Sequence, residues 1–190
     1  YVTEDVVDDL DGESAPFYED LEWHLRKADA HQTPFTSAVP LFRAMAVAVE
    51  DIVQETMPTR ITRHRPQAAA FRAGFTGMGL ELFATADDAT VLSNTVTAVS
   101  LPEPVRGDGA DAFFDGVEAR NVSISGGQAH LGGTIFRVSN MGGLPDEAIL
   151  RGVRVVGEAM AEAGVDVDAD AGIAAARAKL DVAEAAPADD

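Results

Sequence analysis

Cysteine is absent from the 190-residue sequence, and its absence excludes several kinds of chemistry. Without cysteine the chain forms no disulfide, no zinc–thiolate site and no thiol nucleophile. Long apolar runs are missing too: no stretch of about 18 apolar residues occurs, so the sequence predicts no membrane span. The acidic start also lacks the basic and apolar regions of a secretory signal. These absences together predict a cytoplasmic protein without a membrane partner.

Positive charge is scarce, and nearly all of it is arginine. The 14 basic residues face 32 acidic ones for a net charge of -18, and the only lysines are Lys27 and Lys179. A surface of this sign repels nucleic acid, so we expect no nucleic-acid partner. The acidic residues are spread over the whole chain, which favours a hydrated surface adapted to high salt over a site for cationic partners. The composition therefore predicts a halophilic source.

Apolar residues recur at helical spacing in the first part of the chain. The pattern predicts helices over residues 17–28, from an N-cap at Ser37 to about Glu55, and over 59–78. Pro66 is expected to interrupt and kink the third helix, because proline removes a backbone donor. The second helix is predicted from Phe42, Met45, Val49, Ile52 and Val53, which recur at helical spacing.

From Gly79 onward the pattern changes to that of alternating strands and helices. Strands are predicted over 80–84, 95–101, 121–125 and 134–140. Helices are predicted over 110–120, 145–164 and 169–185. This order indicates an α+β fold, a small and mostly antiparallel sheet backed by helices and preceded by long helices.

Most polar motifs have an ordinary structural interpretation. The four histidines, His24, His31, His64 and His130, are far apart and lack metal-ligand spacing, so no metal site is predicted. The stretch GGQAHLGG has no GK[ST] ending and lies between strands, which favours a connecting loop over a phosphate loop. The basic cluster RITRHR is expected to pair with local carboxylates.

Two places point to anions. Arg137 lies in the middle of a predicted strand, where it either pairs with a carboxylate of this acidic chain or holds a ligand carboxylate with two hydrogen bonds. Thr36 precedes a predicted helix, whose first N–H groups and dipole favour an anion, although Thr36 or Ser37 could equally cap the helix. From the residues alone, both alternatives stay open at each place.

Four blocks, taken in order and spacing, resemble one known family. They are QTPFTSAVPLFRAM, RITRHRPQAAAFRAGFTGMGLELFA, NTVTAV and SISGGQAHLGGTIFRVSNMGG. They resemble the C-terminal part of class V pyridoxal-phosphate aminotransferases, in particular the alanine–glyoxylate and serine–pyruvate branch. The resemblance covers roughly residues 18–164.

This resemblance implies a fold-type I homodimer that uses pyridoxal 5'-phosphate. Its reaction would pass an amino group from a small amino acid (alanine, serine or aspartate) to a 2-oxo acid such as glyoxylate or pyruvate. Thr36, and less firmly Thr33, would contact the phosphate of the partner subunit's cofactor, and Arg137 would hold the substrate carboxylate. Gly126 and Gly127 match a loop that folds toward the active-site mouth.

The resemblance also implies a division of the chain. Residues 1–57 would be an interdomain segment with the cofactor-phosphate turn and a linking helix. Residues 58–166 would form the small α+β domain, and 167–190 a terminal helix with an acidic tail.

The chain departs from the family pattern in one respect that bears on activity. The family's cofactor-binding lysine lies upstream of the matched region, and neither Lys27 nor Lys179 matches it, so no catalytic residue is expected in this chain. We expect the sequence to be a fragment that is inactive alone. The alternative is a non-catalytic α+β interaction module or a degenerate remnant without the cofactor domain.

Overall fold

A computed structural model describes residues 3, 5–6, 9, 16–87 and 90–184, with side chains described up to residue 181. The chain divides into two compact units, Tyr1–Gln54 and Glu55–Asp190. The last six residues of the predicted acidic tail lie outside the described residues. Within the described ranges, no helix is long and apolar enough to cross a bilayer.

Two helices make up most of the described part of the first unit. Helix α1 spans Leu21–Asp29 and helix α2 spans Val39–Glu55, whose last residue belongs to the second unit. The predicted start of α1 at Phe17 is wrong, because Asp20 caps the helix: its carboxylate accepts a 2.8 Å hydrogen bond from the Trp23 N–H. An aspartate at this position satisfies a helix donor that would otherwise lack a partner.

Helix α2 carries the apolar face that the helical spacing predicted but buries none of its side chains. Phe42, Met45, Val49 and Val53 are all exposed, Val53 to 70 %. Helical periodicity identifies the apolar face of a helix but supplies no surface to cover it. The described part of this unit offers α2 no such surface.

Within its described residues, the second unit contains four further α-helices. They are α3 (Met57–Gly77), α4 (Ala110–Glu118), α5 (Asp146–Glu162) and α6 (Ala169–Glu184). Helix α3 runs through Pro66 without interruption, so the predicted break there is wrong. Because the remaining i to i−4 hydrogen bonds and the packing of its buried face persist, one missing donor does not end the helix.

Three antiparallel strands form the sheet of this unit, in the order β1–β3–β2. They are β1 (Val96–Ser100), β2 (Ser125–Gly126) and β3 (Ile135–Ser139). The strand predicted over 80–84 is reduced to a single bridge between Leu82 and Val99, and the one predicted over 121–125 survives only at its end. Alternation indicates a half-buried extended segment, but a strand also requires a partner at hydrogen-bonding distance.

The core of the second unit lies between one face of the sheet and the helices. Three aromatic side chains, Phe75, Phe113 and Phe136, are completely buried, and the Phe136 ring contacts Phe75 edge to face and Phe113 at a tilt. Helix α3 packs closely on α6, where a Cβ added to Gly74 would lie 3.3 Å from the Cβ of Ala176. This architecture confirms the predicted α+β fold.

Candidate functional site

Arg137 occupies the middle of β3, on the face of the sheet that does not bear the aromatic core. Its register partners are Ala98 on β1 and Ser125 on β2, and paired residues of antiparallel strands share a face. Phe136 and Val138, which flank it along the strand, point to the opposite face and are buried. Arg137 therefore projects from the sheet between two small side chains, those of Ala98 and Ser125.

The guanidinium group of Arg137 has one hydrogen bond in the described structure. Its Nε donates to the backbone oxygen of Gly126 over 2.9 Å. Among the described residues no carboxylate lies within 4.0 Å of its nitrogens, so the structural ion pair that this acidic chain could supply is not formed. One edge of the group is thus fixed, while the two terminal nitrogens remain able to donate to a ligand.

The loop after β2 is folded back so tightly that glycine is required. A Cβ at Gly127 would lie 1.9 Å from the backbone oxygen of Leu131. The stretch that follows forms a short 3-10 turn over Ala129–Leu131, and Gly133 adopts a φ of +67°. The conformation of this loop places the Gly126 oxygen against Arg137.

The turn that contains Thr33 and Thr36 is organised by an aromatic cluster. The Phe35 ring lies 4.6 Å from that of Tyr18 and 5.6 Å from that of Trp23, between centroids. Thr33 Oγ1 donates to the Phe35 oxygen over 2.7 Å and accepts from Ser37 Oγ over 3.3 Å. The sequence analysis did not predict this aromatic cluster, because its members are separated in the chain and show no helical period.

The Thr36 hydroxyl is exposed and makes no hydrogen bond to a described residue. The N-cap role predicted for Ser37 is wrong, since its hydroxyl donates to Thr33 instead of accepting from the helix. The start of α2 also offers few free donors: the Val39 N–H bonds to Ser37 O, and Pro40 has none. Any anion held at this turn would therefore depend on hydroxyl groups more than on helix amides.

The basic cluster at the start of α3 pairs with a carboxylate, as the sequence predicted. Glu55 accepts from Arg60 Nη1 over 2.8 Å and from Arg63 Nε over 2.7 Å. These contacts, that of Arg63 above all, lower the pKa of the Glu55 carboxyl below its ordinary 4.5. Arg63 Nη1 also donates to the Gly142 oxygen, which ties α3 to the loop after β3.

The histidines carry no metal site within the residues that the structure describes. His64 is buried and its Nδ1 lies 2.7 Å from the Arg60 oxygen, which makes it a satisfied core histidine. Thr33 and Thr36 belong to the first unit and Arg137 to the second.

Comparison with known proteins gives sequence relatives and solved structures, whereas no protein-family model matches the chain. An uncharacterised aminotransferase of Methanocaldococcus jannaschii is 37 % identical over 138 residues, which are 72 % of this chain and 34 % of that protein. The small subunit of a soluble hydrogenase of a Synechococcus species is 34 % identical over 168 residues, 88 % of this chain and 42 % of that protein.

Two solved aminotransferases share the fold. The pyridoxamine–pyruvate enzyme of Mesorhizobium loti superposes with a TM-score of 0.72 at 30 % identity, over 78 % of this chain and 37 % of that one. The ureidoglycine–glyoxylate enzyme of Bacillus subtilis gives 0.77 at 25 % identity, over 94 % and 45 %. The chain thus spans well under half the length of the proteins it matches. By sequence and by fold, the chain resembles the C-terminal portion of class V aminotransferases.

Proposed function

We propose that this chain is the C-terminal part of a pyridoxal-phosphate-dependent transaminase. The whole protein would move an amino group from a small amino acid, such as alanine, serine or aspartate, to a 2-oxo acid such as glyoxylate or pyruvate. In this proposal Arg137 binds the carboxylate that all of these substrates share. Because the cofactor-binding lysine has no match here, this portion alone is expected to be inactive.

The observation that carries the proposal is the environment of Arg137. An arginine with no described acidic partner, in a chain of net charge -18, is available to a carboxylate from outside. The Gly126 oxygen fixes Nε, so the planar fork is oriented before a ligand arrives. Such a fork donates two parallel hydrogen bonds to a carboxylate.

The turn of Thr33 to Thr36 fits a contact with the cofactor phosphate. The exposed Thr36 hydroxyl has a free donor, and Thr33, three residues earlier in the same turn, has its hydroxyl held by Phe35 and Ser37. When bound, pyridoxal phosphate supplies the electron sink that amino-group transfer needs. The role of this chain would be to hold its phosphate, across a homodimer interface, through Thr36 and secondarily Thr33. The homodimer, the cytoplasmic location and the adaptation to high salt stay predictions from the sequence.

An Arg137→Gln substitution in the complete native polypeptide tests the carboxylate role. We expect the KM for alanine and for glyoxylate to rise by about tenfold or more, since each loses a charge-assisted hydrogen-bond pair. Steady-state transaminase assays over both substrates would measure it. Arg65→Gln, at an exposed arginine of α3 with no described partner, is the matched control. Unchanged KM values for every small amino acid and 2-oxo acid would refute the assignment.

A Thr36→Val substitution tests the phosphate contact. Since it removes one hydroxyl donor at constant shape, we expect the dissociation constant of pyridoxal phosphate to rise roughly tenfold. Absorbance titration of the cofactor-free protein would measure it, with Thr33→Val in parallel and Thr76→Val, at an exposed threonine of α3, as the control. A larger effect at Thr33 than at Thr36 would move the main contact to Thr33. No effect at either would remove this turn from the phosphate site.

A further inference from the structure

The second unit contains a cavity beside the segment that follows α4, which does not pair with β3. Asn121 adopts a φ of +53°, a left-handed conformation that asparagine tolerates, and turns the chain after the helix. Only Ser125 and Gly126 then pair with β3, so residues 121–124 run unpaired. The unpaired residues line a cavity of about 230 Å³ together with parts of α3, β3 and α5.

The lining of this cavity combines an apolar surface with a single charge. Its apolar part includes Phe71, Val138 and Leu144, and hydroxyl groups come from Ser123 and Ser139. Arg151 is the only ionisable residue of the lining. In a chain with 32 acidic residues, a cavity without a carboxylate is a local departure from the general negative field.

None of the four acidic residues of α5 forms an ion pair with Arg151: two pair with Arg120, Asp146 accepts a hydrogen bond from Gln67, and Glu147 has no described ion pair. Glu158 and Glu162 both pair with Arg120, the former over 3.1 Å. Arg151 itself uses Nη2 to donate to the Arg120 backbone oxygen over 2.8 Å and forms no ion pair with a described carboxylate. This single hydrogen bond orients the guanidinium group and leaves its other donors available.

We infer that this cavity binds a small monocarboxylate with a short branched apolar tail. Arg151 would hold the carboxylate, since the guanidinium fork matches it in two hydrogen bonds. The tail would lie on Phe71, Val138 and Leu144. The volume is below the roughly 300 to 1,000 Å³ of sites for drug-sized ligands, which limits the ligand to a small molecule.

The inference goes beyond the proposed transaminase function. The lining includes none of Thr33, Thr36 and Arg137. The competing explanation is that Arg151 serves only to satisfy the Arg120 carbonyl at the end of α4. That role requires the Nη2 donor but no ligand, so a binding measurement separates the two.

The test is a titration of the complete native polypeptide, methyl-labelled at Ile, Leu and Val, with isocaproate followed by NMR. We expect saturable shifts at the four labelled methyl-bearing residues of the lining, Val122, Ile124, Val138 and Leu144. Arg151→Gln should weaken binding about tenfold or more, and the neutral amide of isocaproate should bind weakly to the unaltered protein. No saturable shift at these methyls, or equal binding of acid and amide, would overturn the inference.

Two variants keep the test decisive. Arg154→Gln, at an exposed arginine of the same helix outside the lining, should leave isocaproate binding unchanged. Ala148→Phe should abolish binding by filling the cavity, even if Arg151→Gln fails to fold. If the Arg151 and Arg154 variants lose equal isocaproate affinity, the effect comes from the overall charge of the protein, and the proposed binding site is overturned. The titration repeated in Arg137→Gln distinguishes this cavity from the proposed substrate contact, because its methyl shifts should persist there.

Discussion

Helices α2 and α5 have the same length, 17 residues, and both carry a clear apolar stripe, but they differ in what covers it. No side chain of α2 is buried, whereas α5 buries seven residues, among them Ile149, Val153 and Met160. The sheet and the neighbouring helices of the second unit supply the covering surface for α5. The comparison shows that periodicity specifies an amphipathic helix, while burial depends on which surfaces the rest of the chain provides.

Truncating one phenylalanine in each unit should give the largest contrast. Phe136→Ala is expected to lower the free energy of unfolding of the second unit by about 3 to 5 kcal/mol, because it leaves a cavity among completely buried rings. Phe42→Ala, at a ring of the first unit that is 58 % exposed, should change the free energy of unfolding of the first unit by less than about 0.5 kcal/mol. Urea unfolding followed by circular dichroism would measure both. Equal losses would mean that α2 is covered in solution by a surface the described residues do not include.

A methyl group at the folded-back loop should have the next largest effect. Gly127→Ala is expected to cost about 1 to 3 kcal/mol, since its Cβ would collide with the Leu131 oxygen and displace the backbone. Gly143→Ala is the matched control, because nothing lies within 4 Å of its added Cβ. Thermal unfolding of the two variants would compare them. An unaffected Gly127→Ala protein would show that the loop relaxes without strain.

The third prediction concerns the acid dependence of the Glu55 contacts. Since Arg63 and Arg60 lower the pKa of Glu55, these contacts stabilise the fold above the ordinary value of 4.5. Their contribution is lost as the pH falls through the lowered pKa of the folded state. We therefore expect Glu55→Gln to destabilise the protein at neutral pH and to match the unaltered protein in strong acid.

Urea titrations across the acid range would follow this difference, with Glu103→Gln as the control. Glu103 pairs with Arg106 but is 87 % exposed, so its removal should change little. A Glu55→Gln deficit that does not shrink on acidification would contradict an electrostatic origin.

The sequence predicted helices better than strands, and the reason lies in where their hydrogen bonds are made. Helix bonds connect residues four apart, so the spacing of Ile149, Val153 and Val156 is enough to indicate α5. The strand expected over 80–84 depends on β1 for its partners, and the chain supplies only the bridge at Leu82. Pro66 shows the opposite error, because tertiary packing maintained a helix that local propensity would interrupt.

The candidate sites, like the strands, were only partly predictable from the sequence. Arg137 was identified from its position in a strand and from the family resemblance, but the oxygen of Gly126 that holds its Nε comes from another strand. The aromatic cluster around Phe35 and the cavity beside Arg151 were not predicted at all. Both bring together residues that are distant in sequence and share no period.

The sequence by itself determined the acidic character, the absence of thiol chemistry, the main helices and the resemblance to class V aminotransferases. Composition and local spacing are enough for these, because they need no knowledge of which segments meet. The tertiary structure decided which apolar faces are covered, how long each strand is, and which arginines are neutralised by carboxylates. Each of these depends on contacts between distant segments, and Arg120 and Arg151 illustrate it: one is paired with Glu158, the other is left open to a ligand.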